Sequence, residues 1–152
     1  MKTLGNPSDK AEILRRLQSI QPTSQRRWGK MSAHQMMCHL SDSYRMFMSE
    51  KKVAPAAVPY PRSVLKWVAL WAPMPWPHGF KAVPELDQQL GGTSPVEFEA
   101  DRRELLQLLD RFTRQPRDFQ AQPHPHFGAL NDKEWMRLGY LHPDHHLRQF
   151  GA

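Results

Sequence analysis

The sequence predicts an all-α protein, an antiparallel four-helix bundle, and three observations lead to that prediction. Four segments of the 152-residue chain place apolar residues three and four positions apart, as the buried face of a helix does. Each of these segments follows a residue that can cap the first turn of a helix. No segment shows a convincing strand pattern of alternating apolar and polar residues. Four long amphipathic helices without a sheet favour a bundle, built as one domain over residues 1–152.

The first helix is expected near the start of the chain. Asp9 and Glu12 stand three residues apart, as in a capping box, which predicts a helix that begins near Ser8 or Asp9. Pro22 should end it, because proline cannot continue the hydrogen bonding of a helix. The apolar residues between these limits share one face: they are Ile13, Leu14, Leu17 and Ile20.

The second helix has a clearer starting signal. Ser32 followed by Gln35 forms a capping box, and the helix is predicted to extend to about Met48. Residues at spacings of three and four form its buried stripe: they are Met36, His39, Leu40, Ser43 and Phe47. His39 is therefore expected to point into the interior of the bundle.

A proline-rich segment, Glu50 to Gly92, separates the second long helix from the third. Pro61 and Pro73 bracket an apolar stretch, which predicts a short helix from about Arg62 to Ala72. The rest of the segment is predicted to be an irregular insertion rich in proline and tryptophan. Four of its aromatic residues could form an apolar lid over a nearby site: they are Trp67, Trp71, Trp76 and Phe80. Ordinary packing is the alternative for these side chains.

The third long helix is predicted from a cap that includes a proline. Ser94 is the expected cap, Pro95 the first helical residue and Glu97 the partner in a capping box, and Pro116 should mark the end. Its apolar face comprises Phe98, Leu105, Leu106, Leu108, Leu109 and Phe112. The last helix should begin at Asn131, with Glu134 three residues later. That helix carries Trp135, Leu138, Leu141, His142, His145, His146 and Gln149.

Composition and charge exclude several classes of partner. The formal net charge is +6, but Lys and Arg are scattered among Asp and Glu, so no nucleic-acid partner is predicted. The longest apolar run, Val64 to Met74, is shorter than the ~20 residues that cross a bilayer, so no membrane partner is predicted. Cys38 is the one cysteine, which excludes an intrachain disulfide, and the first ten residues lack the apolar core of a signal peptide. These features favour a cytoplasmic protein.

Two histidines of the last helix stand four residues apart. On a continuous helix His142 and His146 project from one face about 6 Å apart, a spacing that lets two imidazoles bind one ion. His39, on the buried stripe of the second helix, is the natural third ligand, because metal sites in bundles draw side chains from facing helices. Three neutral imidazoles suit zinc, nickel, iron or copper and leave coordination positions open.

Spacing alone leaves other interpretations open. A histidine pair at helical spacing is also common on a solvated helix face. Pro143 stands where the zinc-protease motif has its glutamate, so peptide hydrolysis by that route is not expected. A proline inside a helix costs ~3 kcal/mol, although Gly139, four residues before it, could absorb a kink. A distorted helix would let His145 replace one of the ligands.

Two segments resemble a known family: Trp28 to Asp42, WGKMSAHQMMCHLSD, and His124 to Gly151, which ends HPDHHLRQFG. They are similar to the DinB-like superfamily, and within it to a branch of uncharacterised bacterial proteins. The resemblance implies a four-helix bundle that binds a divalent metal ion, here zinc, nickel or iron. It implies one histidine ligand on the second helix and two on the last, which correspond to His39, His142 and His146.

The same resemblance draws attention to neighbouring residues. Gln149 and Asp144 are candidates to orient the ligand imidazoles, with a solvated helix face as the alternative for Asp144. Arg148 matches a position near the site, where it would pair either an anionic substrate or a carboxylate. His34 is expected at the surface or behind a ligand, and Cys38 is expected to be a buried core thiol.

Some relatives in this superfamily are metal-dependent thiol transferases or hydrolases that act on small molecules, and the resemblance implies a similar activity. Two alternatives stay open. One is a non-catalytic module that binds a metal or a small ligand, including a homodimer formed through exposed aromatic residues. The other is a metal-free helical interaction protein. His124 and His126 are expected either at the mouth of a substrate pocket or in packing and turn roles.

Overall fold

The computed structural model describes residues 1–152 and contains five α-helices, one short 3₁₀ turn and no β-strand. The elements are α1 (Pro7–Ser19), α2 (Ala33–Phe47), α3 (Arg62–Trp71), the 3₁₀ turn (Pro84–Leu86), α4 (Phe98–Thr113) and α5 (Asp132–Gln149). The predicted all-α class is confirmed, and each of the five predicted helices is present. None of these helices combines the length and apolar composition needed to cross a bilayer.

Helices α2 and α5 begin where the sequence predicts. Ser32 and Gln35 form a complete capping box at the start of α2, and Asn131 and Glu134 form another at the start of α5. In each box a side chain accepts a hydrogen bond from a backbone N–H that the helix leaves free. The short helix α3 also lies between its two prolines as predicted.

The predicted caps of α1 and α4 are wrong, although α1 begins within a residue of the predicted Ser8. Asn6 caps α1 and Pro7 is its first residue, because the Asp9 carboxylate accepts a hydrogen bond from the backbone of Thr3 instead of capping the helix. Glu97 caps α4, so Ser94 and Pro95 lie outside the helix. The Glu97 carboxylate accepts two backbone N–H groups of the first turn, which a serine hydroxyl cannot match.

The four longer helices share one hydrophobic core. Helix α2 packs on α4 and α5, α1 packs on α5 and α4, and α3 packs on α5. The largest fully buried side chains are aromatic or aliphatic: they include Trp135, Tyr44, Phe47, Phe112, Ile13 and Leu17. Between α2 and α4, the 3₁₀ turn packs on α2, and Leu70 and Leu86 reach the core. The same part of the chain exposes Tyr60, Val64, Trp67, Met74 and Phe80.

Helix α5 runs without interruption through Pro143. Proline has no N–H group, so the carbonyl of Gly139 lacks its usual partner within the helix. The buried Tyr44 hydroxyl of α2 donates to that carbonyl oxygen at 2.9 Å. A side chain at position 139 would approach Phe112 and Leu4 to within 3 Å, so glycine is also needed for close packing. The bond from α2 therefore satisfies the acceptor that the proline leaves free while α5 continues past it.

The Tyr44 hydroxyl is expected to contribute to stability by satisfying the Gly139 carbonyl. Tyr44→Phe should lower the free energy of unfolding by about 1–3 kcal/mol, because it leaves a buried acceptor unpaired. The measurement is urea denaturation followed by circular dichroism. Tyr60→Phe is the matched control, since the Tyr60 side chain is exposed. Equal unfolding free energies for both variants would contradict this role.

Candidate metal centre

The three predicted ligands meet at one point between α2 and α5. Nε2 of His39 lies 3.1 Å from Nε2 of His142, and Nε2 of His146 lies 3.2 Å from the same atom. All three ligand atoms lie within 4.8 Å of one another. Two nitrogens that bind one tetrahedral zinc ion at about 2.0–2.1 Å stand about 3.3 Å apart. The observed spacings are close to that value.

The hydrogen bond at Nδ1 fixes the tautomer of His39. Its Nδ1 atom lies 2.7 Å from the carbonyl oxygen of Leu86, in the 3₁₀ turn. A carbonyl oxygen only accepts hydrogen bonds, so Nδ1 carries the proton. In the neutral ring Nε2 then presents a lone pair to the centre of the cluster. The 3₁₀ turn therefore sets the orientation of a ligand on another helix.

Gln149 fixes the tautomer of His146 in the same way. Its amide nitrogen donates to the carbonyl of Trp28 at 2.8 Å, so its oxygen must face Nδ1 of His146, at 2.9 Å. The turn at Gly29 makes this contact possible. Gly29 has a φ of +77°, and a Cβ atom there would lie 2.4 Å from the Gln149 amide nitrogen. The predicted orienting role of Gln149 fits this geometry.

These two tautomers leave His142 facing two lone pairs. Its Nε2 atom can carry at most one proton, so at least one of the two short nitrogen contacts has no hydrogen between the atoms. Two lone pairs about 3 Å apart in a buried site repel each other. A cation at the centre would remove that repulsion. The donor set, three neutral imidazoles, fits zinc, nickel or iron.

Burial keeps the three imidazoles uncharged. The pKa of His39 is lowered chiefly by burial. The pKa values of His142 and His146 are lowered well below the usual 6.5, first by burial and then by the neighbouring imidazoles. A histidine must be neutral to offer its lone pair to a metal. The protein interior therefore holds these rings in the form that a metal ligand requires.

One of the four predicted lid residues lies against the site. The Trp76 ring centroid is 6.0 Å from that of His142 and 5.9 Å from that of His145, and its indole N–H donates to the carbonyl of Ala69. Trp67 and Phe80 are 61% and 59% exposed, so they are not part of a cover. His145 lies beside the cluster and is not one of its three members, and α5 continues through Pro143.

A second group of possible ligands is held together by hydrogen bonds. His34 Nε2 lies 2.6 Å from an Asp101 carboxylate oxygen, and the Cys38 sulfur lies 3.6 Å from the same oxygen. Burial and the nearby carboxylate raise the pKa of Cys38 to about 12, so the thiol stays protonated. The contact between His34 and Asp101 is shorter than two ligands of one ion would make. Cys38 is a buried thiol, as predicted, and the group links α2 to α4.

The solvated helix face favoured for Asp144 is wrong. Asp144 is buried, and its two oxygens each lie 2.6 Å from an arginine, Arg16 of α1 and Arg148 of α5. It therefore orients no ligand, and Arg148 pairs a carboxylate. The sequence pattern did not predict the contacts made by Arg16 and by the backbone carbonyls of Leu86 and Trp28. Arg16 lies four residues before Ile20, on the apolar face of α1, so the apolar pattern does not single it out. Backbone carbonyls leave no pattern in a sequence.

His124 has a packing role. Its ring stacks on Phe127 at 4.5 Å, and its Nδ1 accepts the backbone N–H of Phe127. Burial lowers its pKa to about 3, with a smaller effect from His126. In the unfolded chain the pKa returns to about 6.5. Between these values the unfolded chain binds a proton that the folded chain excludes, so the free energy of unfolding falls as the pH falls.

The metal-free protein should therefore be sensitive to mild acid. Protonation of His124 alone should lower the free energy of unfolding by about 2 kcal/mol between pH 7 and pH 5. The buried site imidazoles act in the same direction. The measurement is urea denaturation at pH 7, 6 and 5 in the presence of a chelator. His124→Asn should reduce the dependence of the unfolding free energy on pH. An unfolding free energy that does not change over this range would contradict the prediction.

The chain was compared with protein families, with curated proteins and with solved structures. No curated protein matches it. No solved structure matches it either. A family profile matches residues 6–152, which is nearly the whole chain and includes all three histidines of the cluster. The chain therefore belongs to that family, which is described as a protein of unknown function, DUF1569.

Proposed function

We propose that the protein binds one divalent metal ion, zinc, nickel or iron, through His39, His142 and His146. The observation that carries this proposal is the direction of the imidazole lone pairs. Hydrogen bonds at Nδ1 of His39 and His146 turn both lone pairs toward Nε2 of His142. A divalent ion between these atoms replaces a repulsion with three coordinate bonds.

We also propose that α1, α2, α4 and α5 form the antiparallel four-helix bundle of the DinB-like superfamily. The shared core of these helices supports this arrangement, as does the origin of the ligands on α2 and α5. The chain between α2 and α4 would then be an insertion with a role at the site. It contributes Leu86 to the orientation of His39 and Trp76 to the packing of His142.

The reaction that suits this site best is thiol transfer or hydrolysis of a small-molecule substrate. A divalent ion in such a site supplies a nucleophile at neutral pH by lowering the pKa of a coordinated water or thiol. The chain itself holds three neutral imidazoles, two of them in fixed tautomers, and places Trp76 against His142. Three protein ligands, instead of four, are typical of catalytic sites, because they leave room for a substrate atom.

A non-catalytic metal-binding module is the second candidate, and the position of Trp76 favours it. The indole ring lies against His142, and its hydrogen bond to Ala69 holds it there. A fixed ring over the ligands would slow the exchange of substrates. This module would bind metal without turning over thiol or ester substrates, whereas the enzyme would turn them over. The homodimer through exposed aromatic residues stays a prediction.

Metal analysis of protein purified without a histidine tag is the first test. We expect stoichiometric zinc, nickel or iron in the wild type, and loss of that metal in His39→Ala and in His146→Ala. The metal content is measured by inductively coupled plasma mass spectrometry. His34→Ala is the matched control, because His34 is on the same helix as His39 but hydrogen-bonds Asp101.

His145→Ala separates the proposed ligand set from the alternative in which His145 replaces one of the ligands. This variant should keep its metal, because His145 is outside the cluster. Absence of metal from the wild type, or retention of metal in both ligand variants, would overturn the proposed function. Loss of metal in His145→Ala with retention in His146→Ala would assign the ligand to the other histidine.

Gln149 should affect metal affinity without being a ligand. Gln149→Leu removes the acceptor that orients His146, and we expect metal affinity to fall about 10–100-fold. The measurement is competition with a chromophoric chelator, with circular dichroism to check the fold. Gln107→Leu, at an exposed position of α4, is the control. An affinity equal to that of the wild type would show that the hydrogen bond does not orient the ligand.

A further inference from the structure

A groove lies beside the histidine cluster and has two chemically different walls. Its inner part is a cavity of about 290 Å³ next to Trp76 and His145, the two side chains that flank the ligands. Its outer part is a cavity of about 500 Å³ along α1 and α5. The two cavities share four lining residues: they are Arg137, Leu141, Asp144 and Arg148. The two cavities therefore adjoin, and the inner one reaches the side chains that flank the ligands.

The inner cavity has an apolar, aromatic wall. Trp28, Trp76 and Met74 line it, together with the prolines on either side of Met74. Trp28 is held in place by its stacking on His78, with ring centroids 3.9 Å apart. Trp76 is fixed by its hydrogen bond to Ala69. Two immobilised indole rings suit a flat aromatic group, which gains both burial and ring contacts there.

The lining of the outer cavity is positively charged. Four cationic residues line the outer cavity, Lys2, Arg16, Arg137 and Arg148, against the two carboxylates of Glu12 and Asp144. Arg137 forms no ion pair within the distances of a salt bridge: its Nε and Nη1 atoms donate to the backbone carbonyls of Leu70 and Lys2. A half-buried guanidinium bound only to carbonyls keeps an uncompensated charge, which favours an anion nearby.

Asp144 limits the charge that the groove can accept. Its carboxylate lies between Arg16 and Arg148, at 2.6 Å from each. It neutralises part of their charge and repels a doubly charged group such as a phosphate. The positive charge of Arg137 and of the exposed side of Arg148 still attracts an anion, and Asp144 repels a singly charged carboxylate less than a doubly charged group. A guanidinium also binds the two oxygens of a carboxylate in one plane.

We propose that this groove binds a small aromatic carboxylate, with its ring on Trp28 and Trp76 and its carboxylate on Arg137 and Arg148. The inner volume is at the lower end of the about 300–1,000 Å³ of ligand sites, which suits a molecule with one ring. Its identification as a substrate rests on the proposed function, because only a metal site beside the groove makes the bound molecule reactive. Its binding does not depend on the metal.

Isothermal titration calorimetry with paired probes tests the proposal. The probes are benzoate, phenylacetate and 3-phenylpropionate, each compared with its neutral amide and with acetate. At least one aromatic carboxylate should bind, and its amide and acetate should bind about tenfold more weakly or worse, because they lack the charge or the ring. Binding of none of the three carboxylates, or equal binding of carboxylate and amide, would overturn the proposal.

Arginine variants locate the anion. Arg137→Gln and Arg148→Gln should each weaken carboxylate binding about tenfold, whereas Arg103→Gln should not change it. Arg103 is exposed on α4 and does not line either cavity. Arg148→Gln is also the safeguard against misfolding, because Arg148 is at the surface and Asp144 keeps its bond to Arg16. Unchanged affinity in both groove variants would overturn the proposal.

The same titration in His39→Ala protein separates this inference from the proposed function. Carboxylate-selective binding in that variant is expected, since the groove does not contain His39. Selective binding by wild-type protein that holds no metal would support the groove and overturn the metal site. Stoichiometric metal without selective binding would support the metal site and overturn the groove.

Discussion

Three imidazoles, two of them buried and one half-buried, meet between α2 and α5, and their contacts organise the segments around them. Polar rings in a helix interface are costly unless each polar atom has a partner. Segments outside the two helices contribute to those partners. The carbonyl of Leu86 in the 3₁₀ turn accepts a hydrogen bond from His39. The Gln149 side chain donates to the carbonyl of Trp28 and accepts a hydrogen bond from Nδ1 of His146. Hydrogen bonds around one histidine cluster thus hold together segments that are far apart in the sequence.

The pairing of His142 with His146 depends on the continuity of α5 between them. Pro143 lies between them and would ordinarily kink a helix, which would separate the two rings. Tyr44 satisfies the Gly139 carbonyl that the proline leaves free, and Gly139 lets Phe112 and Leu4 pack closely behind it. Tyr44 of α2 thereby supports α5 at the position of His142 and His146. His39, also on α2, contacts the same two histidines.

The histidines that meet were predictable because helices are local structures. Capping boxes at Ser32 and Asn131 fixed the phase of α2 and α5, and the phase fixed which side chains face inward. The caps of α1 and α4 were not predictable from the same rule. Each of those segments has two acceptable caps, and a hydrogen bond from the backbone of Thr3 to Asp9, or the two oxygens of Glu97, decided between them.

Helical periodicity was enough to predict the all-α class, the inward face of each long helix and the three histidines on two of those faces. The nitrogen that His39 and His146 turn toward the cluster follows from long-range packing, because the backbone carbonyls of Leu86 and Trp28 make that choice. Long-range packing also decided that Asp144 is buried between Arg16 and Arg148. Periodicity reports the neighbours of a residue along one helix, whereas these contacts join elements whose relative positions no local pattern encodes.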